Sequence, residues 1–493
     1  MNALDKVIGY FNPNALERRL RARYAVEALS TRRYDAATKG RRTSGWNRAN
    51  TSANTEISRA LVQLRDTSRD MTRNNVWARR AIRVISNNVV GSGIVPSPQG
   101  SKALNKKLMQ IWKEWAEKKK CDFDSIHNIY GLQKLVMRSI VESGEAIIRK
   151  RRSTDKNVPI ELQVVESDYL DHLKNADKTQ DGGWITMGVE FDSNGKRVAY
   201  WLYDKHPADG ATASTRISAT EVAHVYFCER PGQVRGVPFG VASMLRLNDF
   251  NDFEDAELVK QKIAACYTAF VSGDADGSAL TEDEEEEATR MEPGAIEYLS
   301  PGKTVTMASP PQNNTFPEFS RKILLGAAAG YDMTYEALTG DLSNVNYSSG
   351  RMGWLEFHRS IEDWQWNMMI PMFCDIVWGW FMDALIVSQT IRETQRVEAS
   401  WTPPRRQMID PSKEVKGMSD EVRNGFKSWS EVVRESGYNP DDVLTELASD
   451  FKKFDDAGVK LACDPRWDAG KTATVAEGSA SANNSETGDG TGA

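Results

Sequence analysis

A mainly helical α+β protein is the expectation that three patterns in this chain of 493 residues support. Apolar residues recur at helical spacing through residues 57–143. The period then drops to that of strands between about 146 and 228, and long apolar helical patterns return after Pro238 and Met352. A chain of this length is expected to hold more than one packed region.

Residues 1–55 read as a loosely ordered, Arg-rich arm that ends in the tract TSGWNRANTSANTE. Ile57–Arg69 and Val76–Val90 read as helices, the second with Ala78, Ile82, Ile85 and Val89 on one face and Gly91-Ser-Gly93 to stop it. Leu104–Lys118 adds an amphipathic helix carrying Leu108, Ile111, Trp112 and Trp115. Tyr130–Ser143 runs into the strand-like Ala146–Lys150. ELQVVES, WITMGVEFD, RVAYWLYD and EVAHVYF are β-rich runs, and DSNGK is a hairpin turn, so a small antiparallel sheet is expected here.

A long helix is predicted from Pro238 to about Val271, with the proline in the first turn, where it is tolerated. Leu245, Phe250, Phe253, Ala256, Leu258, Ile263 and Phe270 are its apolar positions. Such a helix is about 50 Å long, which suits an element that crosses an assembly. Residues 273–312 join an acidic run to the β-like AIEYLSPGKTVTMAS and the loop PPQNN. A helix over Phe316–Leu338 leads to TGDLSNVNYSSGR, and a second long helix, kinked near Pro371, covers Met352–Val387. Its tryptophans (Trp354, Trp364, Trp366, Trp378, Trp380) read as packing residues. A strand-like Arg396–Trp401 precedes TPPRRQMIDP, and helices follow over Pro411–Asn424, Ser428–Ser436 and Asp441–Asp455. Residues 472–493, small and polar, read as a disordered tail.

Composition narrows the function classes. Hydrophobic content of 40% and charged content of 27% are those of a soluble protein, here expected to be made in a cytoplasm. No signal peptide is visible, and Met368–Val387 carries Pro371, Asp375 and Asp383, which argues against a membrane partner. Cys121, Cys228, Cys266, Cys374 and Cys463 form no CxxC pair and read as isolated reduced thiols. The histidines form no metal motif, so neither a metal nor a cofactor is expected. Two Gly-Lys-Thr triplets, at Gly302 and Gly470, lack the earlier glycine of a phosphate loop; Glu297 and Pro465 stand there instead. With no G-x-S-x-G either, an enzyme is not expected.

The net charge of −6 hides an asymmetry. Residues 1–83 hold 18 Lys/Arg against 7 Asp/Glu, and the arm contributes Arg18, Arg19, Arg21, Arg23, Arg32, Arg33, Arg41 and Arg42. Residues 274–297 hold 10 Asp/Glu against one Arg, including the run Glu282, Asp283, Glu284, Glu285, Glu286 and Glu287. A basic arm and an acidic cluster suit different partners. Alternatively, each is a solvated surface segment.

Four segments, taken in order, resemble the lambda-type family of phage portal proteins: MTRNNVWARRAIRVISNNVVGSGIVP (71–96), RGVPFGVASMLRLNDFNDFEDAELVKQKIAACYTAFVSG (235–273), GYDMTYEALTGDLSNVNYSSGRMGWLEFHR (330–359), and WTPPRRQMIDPSKEVKGMSDEVRNGFKSWSEVVRESGYNPDDV (401–443). The resemblance covers about residues 60–455. It implies a ring of about twelve subunits around a channel, with wing, stem, clip and crown regions. Carried onto this chain, 1–59 is the basic arm, 60–236 wing, 237–272 a stem helix, 273–312 the clip and 313–339 the returning stem helix. Residues 340–351 become the channel loop, 352–400 the rest of the wing, 401–455 the crown and 456–493 a tail.

The resemblance further implies double-stranded DNA in the channel and a packaging terminase at the clip. Capsid and scaffold proteins surround the ring and tail connector proteins join it, all at the head vertex of a virion assembled in a host cytoplasm. Asp341, Ser343, Asn344, Asn346, Tyr347, Ser348 and Ser349 are the candidate DNA contacts, and Glu282–Glu287 the candidate motor dock or channel charge. A small, nearly uncharged loop suits sliding, because every phosphate neutralised by Lys or Arg adds salt-dependent grip. Two other classes remain: a monomer that binds nucleic acid through the basic arm, and a packaging nuclease, which lacks a spaced carboxylate–histidine set.

Overall fold

The computed structural model describes residues 50–211, 213–265, 269–273, 303–307, 316–405, 408 and 410–459, together with Gly45. The chain falls into two compact units, residues 1–55 and 56–493. The packing that follows belongs to the second.

Helix α1 (Ala53–Asn74) begins four residues earlier than predicted and ends five later. α2 (Val76–Val90) keeps its predicted limits because both ends are capped. Asn75 accepts from the amides of Trp77 and Ala78, and Gly91, at φ 49°, closes the other end. Strand β1 (Val95–Pro98) leads to α3 (Lys102–Trp112), which widens into a π turn over Lys113–Glu117. α4 (Ile129–Ser143) packs its stripe Leu132, Val136, Ile140 into the main core beside α2.

The β region forms two antiparallel sheets rather than one. β2 (Glu145–Arg152) lies between β3 (Ile160–Val165) and β8 (Val222–Tyr226). β4 (Trp184–Thr186), β5 (Val189–Phe191), β6 (Arg197–Tyr203) and β7 (Ser214–Ser218) form the second, in that order.

The first long helix is shorter than its pattern suggested. A 3-10 turn over Phe239–Ser243 leads into α5 (Met244–Ala265), 22 residues and about 33 Å long. Phe270 and Val271 belong instead to β9 (Ala269–Gly273), antiparallel to β10 (Lys303–Met307), where Val271 faces Val305. Strand pairing overrides the helical period here.

The helix expected over 316–338 also divides, into α6 (Phe316–Ala329) and α7 (Tyr335–Thr339). Between them Asp332 takes φ 51° and Tyr331 is buried against Gly240, in a space a side chain there would fill. α5 and α6 lie together through Ser243, which donates to Ala327 O at 2.9 Å, and through Phe253, stacked on Phe316.

The second long helix starts at α8 (Tyr347–Trp364), loosens into a π segment over Gln365–Cys374 that absorbs Pro371, and continues as α9 (Asp375–Val387). An apolar stretch of this 41-residue element is long enough to cross a membrane, but 56% of it is buried inside the protein. Trp112, Trp115, Trp378 and Phe381 meet with ring centroids 5.1–5.5 Å apart. Trp364, Trp378 and Trp380 are buried, and Trp354 packs at the core's edge. Trp366 departs from the expectation: it is 52% exposed and lines a cleft. That cleft, of about 1520 Å³, lies between α8–α9 and the C-terminal helices.

β11 (Ala399–Thr402) pairs with β1 across the sequence. α10 (Pro411–Arg423), α11 (Trp429–Glu435) and α12 (Pro440–Ala457) then follow near their predicted positions, and none of the three buries a residue.

Candidate functional site

The predicted channel loop is shorter than its sequence suggested. Thr334 caps α7 by accepting from Ala337 N at 3.2 Å, and Gly340, at φ 75°, ends it. The chain then turns on Asp341, whose Oδ1 accepts from Ser343 N at 3.0 Å and Ser343 Oγ at 2.6 Å. Those two bonds, the hydroxyl first, hold the Asp341 carboxyl below its usual range. Val345 N reaches Leu342 O at 3.1 Å, and Asn346 opens α8 with a capping box. Its Oδ1 accepts from Ser349 N at 2.8 Å while Ser349 Oγ accepts from Asn346 N at 3.1 Å.

Asp341, Ser343 and Asn344 therefore sit in the loop and Asn346 closes it. Tyr347, Ser348 and Ser349 are corrected to the first turn of α8, where Ser349 has a structural duty. Asn344 is exposed, whereas the side-chain oxygen of Asn346 is engaged in the cap. Tyr347 lies under Lys413 Nζ, 5.5 Å from its ring centre, which joins α8 to α10. Glu282–Glu287, the arm arginines Arg18–Arg42 and residues 460–493 lie outside the described residues.

Sequence reasoning missed the buried junction that joins the two sheets to the segment entering α5. At the start of β2, Glu145 is fully buried and accepts from Arg235 Nε at 2.9 and 3.0 Å, from His224 Nε2 at 2.9 Å and from Gly236 N at 3.0 Å. Burial alone would raise this carboxyl; the Arg235 charge and the His224 bond outweigh it and hold it far below the normal range. Burial pushes His224 down. With Nε2 donating to Glu145, its Nδ1 has no partner among the described residues. Arg235 also donates to the carbonyls of Met187 (3.0 Å) and Ser167 (3.2 Å). One guanidinium thus fastens both sheets to the segment that enters α5. No local signal marks this trio, since His224 and Arg235 lie 79 and 90 residues along the chain from Glu145.

A second cluster ties α1 to the same region: Arg65 to Asp168 at 3.0 Å, Arg69 to Asp168 at 2.5 Å, and His206 to Glu166 at 3.4 Å. Glu166, Asp168 and His206 are near enough to share one ion, but two guanidiniums already neutralise Asp168, so the set is poorly suited to a metal.

The family described as phage portal protein, lambda family, matches residues 39–365. The probable portal protein of Halomonas phage phiHAP-1 is 25% identical over 466 residues, covering 88% of this chain and 89% of that one. The portal protein of Escherichia phage N15 is 20% identical over 490 residues, covering 86% and 90%. Portal protein B of Escherichia phage lambda is 19% identical over 463 residues, covering 81% and 85%. Among solved structures, a chain in the neck of the native gene transfer agent particle aligns with a TM-score of 0.49 at 15% identity, covering 81% of this chain and 98% of that one.

The chain belongs to the lambda family of phage portal proteins. It is a virion component that works as a homo-oligomeric ring at the head vertex, through which double-stranded DNA is packaged and ejected.

Proposed function

We propose that about twelve copies close the ring and that each chain is divided as follows. Residues 60–236 and 352–400 form the wing; 237–272 and 313–339 form the stem, with α5 and α6 as its helices. Residues 273–312 hang below as the clip, 340–346 project into the channel, and 401–455 form the crown. A packaging ATPase docks at the clip, where Glu282–Glu287 offer it an acidic surface or charge the channel wall. Coat and scaffold proteins surround the wing, and tail connector proteins join after packaging. Assembly takes place in the host cytoplasm, and the basic arm, Arg18–Arg42, faces DNA or a neighbouring protein.

One observation carries this reading. Between two capped helix ends, the chain exposes a short loop whose one charge, Asp341, is already engaged by Ser343. Such a loop can line a moving duplex without gripping it, because it neutralises no phosphate. The deciding experiment is the mass and negative-stain image of the purified full chain. A closed ring with a hole wide enough for duplex DNA is expected. A compact monomer that binds duplex tightly through its arm would replace this reading.

A further inference from the structure

We propose that the outward face of α2 is a phosphate-binding strip, Arg79, Arg80 and Arg83, that touches the duplex beside the channel loop. The proposal rests on the reading of residues 340–346 as that loop and adds residues from a separate element.

All three arginines are exposed. A step of 100° per residue gathers them on one side of the helix, opposite the buried stripe Ala78, Ala81, Ile82, Ile85 and Val89. The 15 residues of α2 include no Asp or Glu. None of the three guanidiniums makes an ion pair among the described residues, whereas Arg65, Arg69 and Arg73 on the preceding helix each do. Arg79 and Arg83 stand at i and i+4, a like-charge pair that works against the helix. A strip that burdens its own helix and answers no acidic neighbour has its use outside the subunit.

Its position indicates where. Asn75, which caps α2, donates to Leu247 O of α5 at 3.4 Å. One turn further on, Arg80 Nη2 lies 2.9 Å from the point where a Cβ on Gly340 would stand. The N-terminus of α2 therefore meets α5, and the strip meets the base of the loop at Arg80.

The loop is nearly neutral, so attraction for the duplex has to come from beside it. Guanidinium forks match phosphate oxygens, and contacts to phosphates read no sequence, as a conduit for a whole genome requires. A few such contacts per subunit, repeated around a ring, keep the duplex centred while each is weak enough to break as DNA advances.

The test uses full-chain rings titrated with a short blunt duplex between about 50 and 200 mM salt. For every phosphate that is no longer neutralised, the slope of log K against log salt should flatten by about 0.9. R79Q/R80Q/R83Q is expected to show that shallower slope. R79K/R80K/R83K, which keeps the charges, should retain the wild-type slope. R359Q, which removes an exposed arginine already paired with Glu356, should match wild type. A wild-type slope in the Gln triple variant overturns the proposal, as does a flattened slope in the Lys variant or a wild-type ring with no salt dependence.

The loop is read separately, by photo-cross-linking the same duplex to a label on Asn344→Cys, counting only the cross-linking above that of identically labelled wild-type rings, whose native thiols include exposed Cys228. Cross-linking with an unchanged Gln-triple slope removes the strip and leaves the loop. A flattened slope without cross-linking removes the loop from the channel and overturns the placement proposed here.

Discussion

Helices α2 and α10 have similar amphipathic sequences and opposite surroundings. α2 buries seven residues against its own chain, among them Ile82, Ile85 and Val89, whereas α10, α11 and α12 bury none. Phe426, in the turn between α10 and α11, is 80% exposed, and Leu444 on α12 57%. An apolar stripe specifies that a face is to be covered but not by what. In the body of the subunit the cover comes from the same chain. In the C-terminal helices the described residues of the same chain leave it uncovered.

This contrast can be broken or sharpened, and the largest effect is expected in the body. Glu145→Ala strands Arg235 in a sealed interior and should destabilise the subunit by about 3–5 kcal/mol, read from the urea midpoint. A loss under about 1 kcal/mol would mean that the junction is wet or mobile.

Acid should undo the same site by degrees. Glu145 and His224 both bind their protons more weakly folded than unfolded, because their folded values lie below 4.5 and 6.5. The unfolded chain therefore takes up more protons, and stability rises with pH. Their contribution is complete above 6.5, declines below it as His224 is forced to charge, and falls further below 4.5. Denaturation midpoints flat from pH 7 to 4 would contradict this assignment.

Asn346→Ala removes the cap of α8 and should cost about 1 kcal/mol. Hydrogen exchange should quicken at Tyr347–Ser349 and stay unchanged in α4. The smallest effect is expected where the contrast began. Phe426→Ser should move the stability of the isolated subunit by less than about 0.5 kcal/mol yet weaken ring formation, measured by mass. A large drop in the isolated subunit would mean that the C-terminal helices are already covered.

Legibility follows locality. α2 is readable to the residue because Asn75 and Gly91 punctuate it, and the end of α9 at Val387 because the apolar run stops there. The end of α5 is not, since it depends on β10, 30 residues further along the chain than β9. The shortened loop is readable only weakly: Asn346 is a favoured N-cap residue, here masked by a tract that resembles a continuous turn. The Glu145–His224–Arg235 junction cannot be seen in sequence at all. Its charges look like surface residues until β2 and β8 pair and enclose them.

The two caps around the candidate loop have a mechanical consequence. Thr339 ends one helix and Asn346 begins the next, so seven virtual bonds join two fixed posts. Fully drawn out, they span about 24 Å, and the tip of a tethered arc can stray from its posts by about half of that. A duplex moves 3.4 Å for each base pair it advances. On the proposed placement of this loop in the channel, one excursion would accompany the duplex for about three base pairs before a contact slips.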